Sequence, residues 1–502
     1  MIEEEFEAIV IGAGWAGLGV SHALAKAGLS HRVLERGRIG ETWLSQRWDS
    51  FHLNTPKFSS VMPGDRFTGP DPEGFYTRDE FVANLEDYAK RYRLPVVTNT
   101  PVTALARDAK ADTYRLITPV GELAAQAVVI ASGNLNRARR PDVARALPPD
   151  LLQIDTSGYR NPDALPPGAV LVIGSASSGG QIAEDLTIAG RVVFLSTGRT
   201  GRKPRRYRGR DVTFWERESG LYDVPRKEFV GPDGRLPARP LIGARHTISL
   251  QSLSAQGVAL LGRFTGVSNG RLTFAHDVSE NIRFGDDAAA KTRRQIDDYI
   301  ARHDLDVSPA TDDPAETVAP RLPNPPILSL DPSEHHLTTV IWCTGFEGDY
   351  GFVQVPGVLN ARGQPVEHEG LTEASGLYFA AVDFSSTRKS GRQQQAHRLR
   401  HVINQLVSRL PEEERKLEAV RELASYGCPT RMHVVRLLAP QLECETHTKD
   451  IDFSPEGIMQ RWDAGYHHTK AVLARMPWVG LFDPLAGVVL HEGVEQAGEA
   501  AE

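Results

Sequence analysis

The sequence predicts an α/β protein with two dinucleotide-binding, Rossmann-like domains and a small C-terminal domain that is α/β or mostly helical. Two observations carry this. A glycine turn, GAGWAG, follows the apolar run AIVI at residues 8–11, and a second turn, GSASSGG, follows AVLVIG at residues 169–174. A third is length: 502 residues exceed what a single hydrophobic core organises and call for two or three domains.

The first unit reads strand, turn, helix, strand. Ala8–Ile11 form a buried strand, and Gly12, Gly14 and Gly17 the turn with Trp15 and Ala16 between them. An Ala- and Leu-rich helix runs on to Gly28, and His31 to Glu35 make a second strand ending in an acid. Gly12 allows the tight turn, Gly14 lets backbone approach a pyrophosphate, Gly17 packs helix on strand, and the helix N-terminus attracts phosphate. Glu35 lies 23 residues after Gly12, where a carboxylate accepts the hydroxyls of an adenosine ribose. Arg36 follows it. The continuation favours FAD over NAD: Gly40, Glu41, Thr42 and Trp43 lead into RWDSFHLNTPKFSSVMPGDRF, a loop too long for a simple connection. Val102, Ser132 and Gly133, the latter two closing the strand VVIASGN at 128–134, complete this cofactor set.

The second unit has the same frame, with Ala176 in place of the middle glycine. Gly174 and Gly179 bound the turn, and Ser175, Ser177 and Ser178 offer hydroxyls beside it. The helix GGQIAEDLTIAG and the strand VVFLSTG follow. Thr197 stands 23 residues after Gly174, where the first unit has Glu35, and Arg199 follows it. Loss of the acid with a nearby arginine favours NADPH over NADH, because the guanidinium pairs with a 2′-phosphate. A third strand, LTTVIWCTG at 337–345, ends in Thr344 and Gly345 as the first unit's strand ends in Ser132 and Gly133.

A net charge of −7 argues against general nucleic-acid binding. The basic run GRTGRKPRRYRGRD at 198–211 is assigned a cofactor-proximal, solvated role. Cys343, Cys428 and Cys444 show no CxxC spacing, which removes dithiol reductases and fits a reducing compartment. No window approaches the roughly 20 apolar residues of a membrane span, and the acidic start is unlike a signal peptide. A cytoplasmic protein with no integral membrane segment is expected. His447, His467 and His468 have no companion ligand set, so no metal is expected.

In order, GAGWAG, GSASSGG and CTGF at 343–346 resemble the landmarks of class B flavin-dependent monooxygenases, the group containing flavin-containing monooxygenases and Baeyer-Villiger enzymes. The resemblance spans roughly residues 5–405. It implies an FAD domain in two parts, 1–165 and 331–408, with the NADP domain, 166–330, inserted between them. It also implies the chemistry: NADPH reduces the flavin, O2 adds at flavin C4a, and the peroxyflavin passes one oxygen atom to a small or lipophilic substrate. HLNTPK at 52–57 is similar to the family segment whose asparagine faces C4a, which makes Asn54 the catalytic candidate and places Asp49 and Lys57 beside it as orienting groups. Asp383 stands where related flavoproteins place a residue near the ribityl and pyrophosphate, and Arg388, Lys389 and Ser390 fall in the same loop.

One element departs from the family. Its FxGxxxH signature reads LPPDLLQIDTSGYRNP at 147–162: Tyr159, Arg160 and Pro162 match, while Asp155 occupies the histidine position, either weakening NADP retention and peroxide stability or serving as a helix cap or solvent-facing residue. Two alternatives therefore stand beside a monooxygenase: an NADPH oxidase that transfers no oxygen, and a flavin-binding interaction protein acting through its tail. Residues 409–490 resemble a domain appended to bacterial patatin-like phospholipases, without their serine motif. That domain is the place for a protein or lipid partner, a homodimer is open, and 491–502 is expected to be disordered.

Overall fold

The computed structural model describes residues 4–108, 111–221, 239–367 and 370–380, with short stretches after residue 406. By contact it divides into two units, Met1–Ser386 and Thr387–Glu502.

In the first unit two sheets are each built around a strand–glycine–helix turn. The first sheet contains β1 (Glu4–Ile11), β2 (His31–Leu34), β3 (Val96–Val97), β4 (Ala104–Asp108), β5 (Thr113–Thr118) and β6 (Gly121–Ile130) in the order β3-β2-β1-β6-β5-β4. β1 lies parallel to β2 and β6, whereas β4 and β5 continue antiparallel. Helix α1 (Trp15–Lys26) joins β1 to β2. α2 (Glu41–Gln46) follows, and α3 (Arg78–Arg91) is closed by a capping box between Thr77 and Glu80.

After β6 the chain crosses through β7 (Arg137–Ala138) into a second, five-stranded sheet. This sheet holds β8 (Leu152–Asp155), β9 (Ala169–Ile173), β10 (Val193–Ser196), β13 (Ala259–Leu261) and β17 (Leu337–Trp342), all parallel, in the order β13-β10-β9-β17-β8. All five residues of β9 are buried, as a central strand covered on both faces requires; each such aliphatic side chain contributes about 1.5–3 kcal/mol. α4 (Ser177–Ile188) joins β9 to β10. Between β10 and β13 lies the ribbon of β11 (Arg206–Tyr207) and β12 (Arg210–Asp211). A small antiparallel sheet of β14 (Phe264–Ser268), β15 (Arg271–Phe274) and β16 (Ser329–Leu330) follows. The helix Val278–Arg302 buries Ile282, Gly285, Ala289, Thr292 and Ile296, three to four residues apart.

β18 (Phe346–Glu347) then pairs antiparallel with β7, and β19 (Leu377–Phe379) adds parallel to the end of β6. The second domain is thus inserted between two adjacent strands of a ribbon. Its sheet draws on β8 and β17, so its strands run from 152 to 342. One apolar cluster unites the two halves, with Val10, Leu18, Trp48 and Phe81 in contact continuity with Val170, Ile182 and Leu195.

In the second unit β20 (Met432–Arg436) and β21 (Val488–Glu492) pair in parallel. β21 includes His491 and Glu492. No helix among the described residues is long and apolar enough to cross a membrane, and no cluster of metal-ligating side chains occurs among them.

Candidate active site

The two glycine turns are built alike at their first and last glycines. At the first, Gly12 (φ +105°) sits so tightly that a Cβ there would lie 2.7 Å from the Ala131 carbonyl oxygen, and one on Gly17 would lie 1.8 Å from the Gly12 oxygen. At the second, Gly174 (φ +108°) meets the Cys343 oxygen at 2.5 Å and Gly179 meets the Gly174 oxygen at 1.7 Å. Gly12 N–H donates to the Leu34 carbonyl, and Gly174 N–H to that of Ser196, at 2.8 and 3.0 Å.

Each turn leads into a twelve-residue helix whose first residues carry no side-chain cap and no acid. The N–H groups there, with the positive end of the helix dipole, are left for an anion. Around Gly14 a Cβ would meet nothing within 4 Å. Such a cradle fits a pyrophosphate, and Ala176 at the equivalent position of the second turn has extended backbone (φ −75°, ψ −173°), so its methyl imposes no strain.

Glu35 is buried, its carboxylate accepting from Ala13 N–H at 2.7 Å and Gly37 N–H at 2.9 Å. Its remaining lone pairs are those a ribose would use. Two buried polar atoms near the strand ends, Ser132 Oγ and Gln46 Oε1, have no partner. Such orphans are costly unless a ligand satisfies them, so the residues present fit FAD. Gly133 lies beside Ser132 with φ +80° and open space around it. Trp15 stacks on Phe81 at 5.7 Å, Trp43 packs edge-on to the same ring, and Ala16 is part of the same cluster. Thr42 is half-buried and Arg36 exposed. Glu41 is engaged by Arg38, whose Nε donates at 2.9 Å and holds the carboxyl down at about 2. Val102 packs on the cluster containing Leu105 and Val353.

In the second turn the hydroxyls are largely spoken for. Ser177 Oγ donates to the Pro240 carbonyl, Ser175 Oγ accepts from Gly198 N–H, and Ser178 is half-buried. Thr197 is buried, donating to the Leu261 carbonyl and accepting from Asn281 Nδ2. Thr344 donates to the Arg139 carbonyl, and Gly345 has φ +97°.

The basic run is not the solvated patch its composition suggests. Arg202 pairs with Asp286 and Glu316, Lys203 with Glu216, Arg205 with Asp211, Arg206 and Arg210 with Glu73, and Arg208 with Asp297. Arg202 and Arg205 are buried. Arg199 is the one cation of the run without a carboxylate among the described residues. It is exposed at the end of β10, with its guanidinium 5.0 Å over the Phe284 ring.

Asn54 is half-buried between the domains. Its side-chain Oδ1 accepts from Gln181 Nε2 on α4 at 2.9 Å, and its carbonyl accepts from Arg205 Nη1 at 2.9 Å. Asp49 and Lys57 are not drawn to it. Asp49 accepts from Asn161 at 2.7 Å and Arg78 at 3.0 Å, bonds that hold its carboxyl below the usual range, and Lys57 lies 5.4 Å over the Tyr76 ring. Asp155 takes a two-pronged bond from Arg140, at 3.0 and 2.9 Å, and makes no helix-cap bond. It is therefore a paired side chain, neither cap nor free carboxylate. Cys343 is buried, which pushes its thiol up to about 12 and removes it as a nucleophile.

Sequence reasoning missed Gln181, Arg205 and Arg47. Arg47 is buried among Trp43, Phe51 and Phe346, with no carboxylate among the described residues, and burial lowers its guanidinium to about 10. Only the RW pair in the loop hinted at it. Asp383, Arg388, Lys389, Ser390, Cys428, Cys444 and the tail histidines lie outside the described residues.

Comparison with known proteins adds five findings. Residues 9–214 match the model of the pyridine nucleotide-disulphide oxidoreductase family, and 383–485 match a model described as patatin phospholipase. The CzcO-like oxidoreductase of Geobacillus kaustophilus is 29% identical over 76% of this chain and 93% of its own. The indole-3-pyruvate monooxygenase YUCCA8 of Oryza sativa is 28% identical over 38% of this chain and 47% of its own. Among solved structures, a flavin-containing monooxygenase from Stenotrophomonas maltophilia superposes with a TM-score of 0.51 at 18% identity, covering 78% of this chain and 99% of that one, a likeness of fold.

Proposed function

We propose, from the match of residues 9–214 to the model of the pyridine nucleotide-disulphide oxidoreductase family, that the chain is an FAD-dependent monooxygenase that uses NADPH and transfers one oxygen atom from O2 to a small organic substrate. The match to that family model supports oxidoreductase chemistry with FAD and NADP, and the oxygen transfer goes beyond it. The observation that supports it is Asn54, held at both its carbonyl and its side-chain oxygen by the inserted domain.

Bound FAD supplies the passage of electrons from nicotinamide to O2. The chain's own residues do the rest. The Gly12–Gly17 turn and the α1 N-terminus bind the FAD pyrophosphate, and Glu35 accepts from its ribose. The Gly174–Gly179 turn and the α4 N-terminus bind NADPH, with Arg199 on the 2′-phosphate. Trp43, Phe51 and Phe346 keep water from the region of Arg47. Asn54 supplies an amide donor at Nδ2 for negative charge developing on oxygen, preorganised so that no reorganisation is needed during reaction.

The test is to purify the full chain, read its bound flavin spectrum and follow NADPH, O2 and hydrogen peroxide together. Oxygen that leaves as water and product, with little peroxide, is expected once substrate is supplied. Absence of flavin overturns the proposal. A second reading, NADPH oxidation ending in peroxide, is favoured by one observation: Asp155, committed to Arg140, replaces the histidine of the resembling family. Stoichiometric peroxide with every organic sulfide, amine and ketone tried would select it.

A further inference from the structure

We propose that Gln181 and Arg205, both in the inserted domain, are positioning residues that fix which way the Asn54 amide faces and so tie the nucleotide helix α4 to the flavin side of the site. This rests on the reading of Asn54 given above.

The orientation follows from a chain of hydrogen bonds that admits one solution. Gln181 Nε2 donates to the Ile242 carbonyl at 2.8 Å as well as to Asn54. A backbone carbonyl can only accept, so the Gln181 atom facing it must be the NH2 group. The same NH2 group faces Asn54, which must therefore present Oδ1. Asn54 Nδ2 is left directed away from Gln181, as a donor. A flipped Asn54 would set two NH2 groups against each other and lose the bond.

The main chain is held as firmly. The Arg205 guanidinium, 1% exposed, donates from Nη1 to the Asn54 and Gly243 carbonyls, at 2.9 and 3.2 Å. From Nη2 it donates to Asp211 Oδ1 at 2.7 Å and to Thr213 Oγ1 at 3.2 Å. Its face lies 4.9 Å from the Phe75 ring. A group so surrounded has one position, and it passes that position to Asn54. α4 grips the same segment a second time, one turn further on: Asp185 accepts from Ser50 Oγ at 2.7 Å and from Tyr159 at 2.6 Å. Gln181 and Asp185 are four residues apart and share a helix face. The helix whose N-terminus forms the second nucleotide turn thus holds the segment 50–54 along its length.

The experiment uses the flavin-loaded chain and the variants Gln181→Glu, Gln181→Met, Asn54→Ala and Asn54→Ala/Gln181→Glu. The ionised carboxylate that Gln181→Glu introduces has no donor, so Asn54 turns its NH2 group toward it and withdraws the donor from the flavin side. After photoreduction in the presence of NADP+ and mixing with O2, the oxidised flavin spectrum should return at least tenfold faster in Gln181→Glu than in the parent. Flavin content and the Kd for NADP+ should stay within twofold. In the Asn54→Ala background the same substitution should add less than twofold. Urea denaturation of flavin-free protein reads the contact without the cofactor: the midpoint shift of Asn54→Ala/Gln181→Met should fall short of the sum of the two single shifts. Gln181→Glu that matches the parent while Asn54→Ala does not, or additive shifts in urea, overturns the inference and leaves the oxygen-transfer reading standing. Asn54→Ala that matches the parent overturns both.

Discussion

If Arg199 holds the 2′-phosphate as proposed, replacing it by Ala should remove the proposed preference for NADPH over NADH. Six of the seven cations at 199–210 already have carboxylate partners, so among the described residues of the run only Arg199 has its charge left over for a ligand. Its guanidinium rests over Phe284, which limits its freedom before any ligand arrives. A hydrogen bond to a charged group contributes about 1.5–3 kcal/mol, or roughly 10- to 150-fold in affinity. Arg199 is exposed, and at physiological salt the Debye length of about 8 Å screens such a contact, so the lower end, about tenfold, is expected. The assay is kcat/KM for NADPH and for NADH, with NADP+ titrated by flavin fluorescence at two salt concentrations. NADPH should weaken about tenfold, less so at high salt, while NADH stays within twofold. Arg206→Ala, which removes a cation already held by Glu73, should change neither. Equal losses for both cofactors, or the same loss from Arg206→Ala, would refute the argument.

Three further outcomes follow from the same geometry. Gly179→Ala puts a methyl 1.7 Å from the Gly174 oxygen and should abolish NADPH reduction of the flavin while FAD content holds, whereas Gly17→Ala, at 1.8 Å from Gly12, should lose FAD instead; bound flavin after gel filtration separates the two. Arg205→Met strands the buried Asp211 carboxylate and should destabilise by about 3–5 kcal/mol in urea, with much of the loss recovered in Arg205→Met/Asp211→Leu. Glu41, held at about 2 by Arg38 against an ordinary 4.5, contributes stability that is present above 4.5 and disappears as pH falls toward 2; as a largely surface pair it is worth about 0.2–1 kcal/mol, and Glu41→Gln should flatten the acid limb of the melting curve by that much.

Much of the fold was legible because its determinants are local. The turns at Gly12 and Gly174 announce themselves by strand, glycine and helix in sequence, and the offset of 23 residues finds Glu35. What the offset could not show at Thr197 is that β13 runs beside it, so that its hydroxyl donates to the Leu261 carbonyl. The basic run misled for the same reason. Its carboxylate partners come from positions as far apart as Glu73 and Glu316 and leave no trace in local composition. Asp155, which occupies the family's histidine position, gives no sign in one dimension of its partner Arg140, 15 residues upstream. The supports of Asn54 were hidden most fully, since Gln181 lies 127 residues away and Arg205 lies 151.

The ribbon of β7 and β18 has a consequence for how such a chain is assembled and altered. Ala138 sits opposite Phe346 and Arg137 opposite Glu347, with an ion pair across the second couple at 2.8 Å. Everything from 139 to 345 therefore enters and leaves through one narrow doorway, and no strand of the first sheet is drawn from it. The insertion behaves as a cassette: joining Ala138 to Phe346 by a short turn would preserve every strand of the flavin-side sheet, and a foreign α/β module with neighbouring termini could be spliced there. Any graft would bring its own cofactor preference, but it would have to rebuild the grip on Asn54, which belongs to the cassette and not to its host.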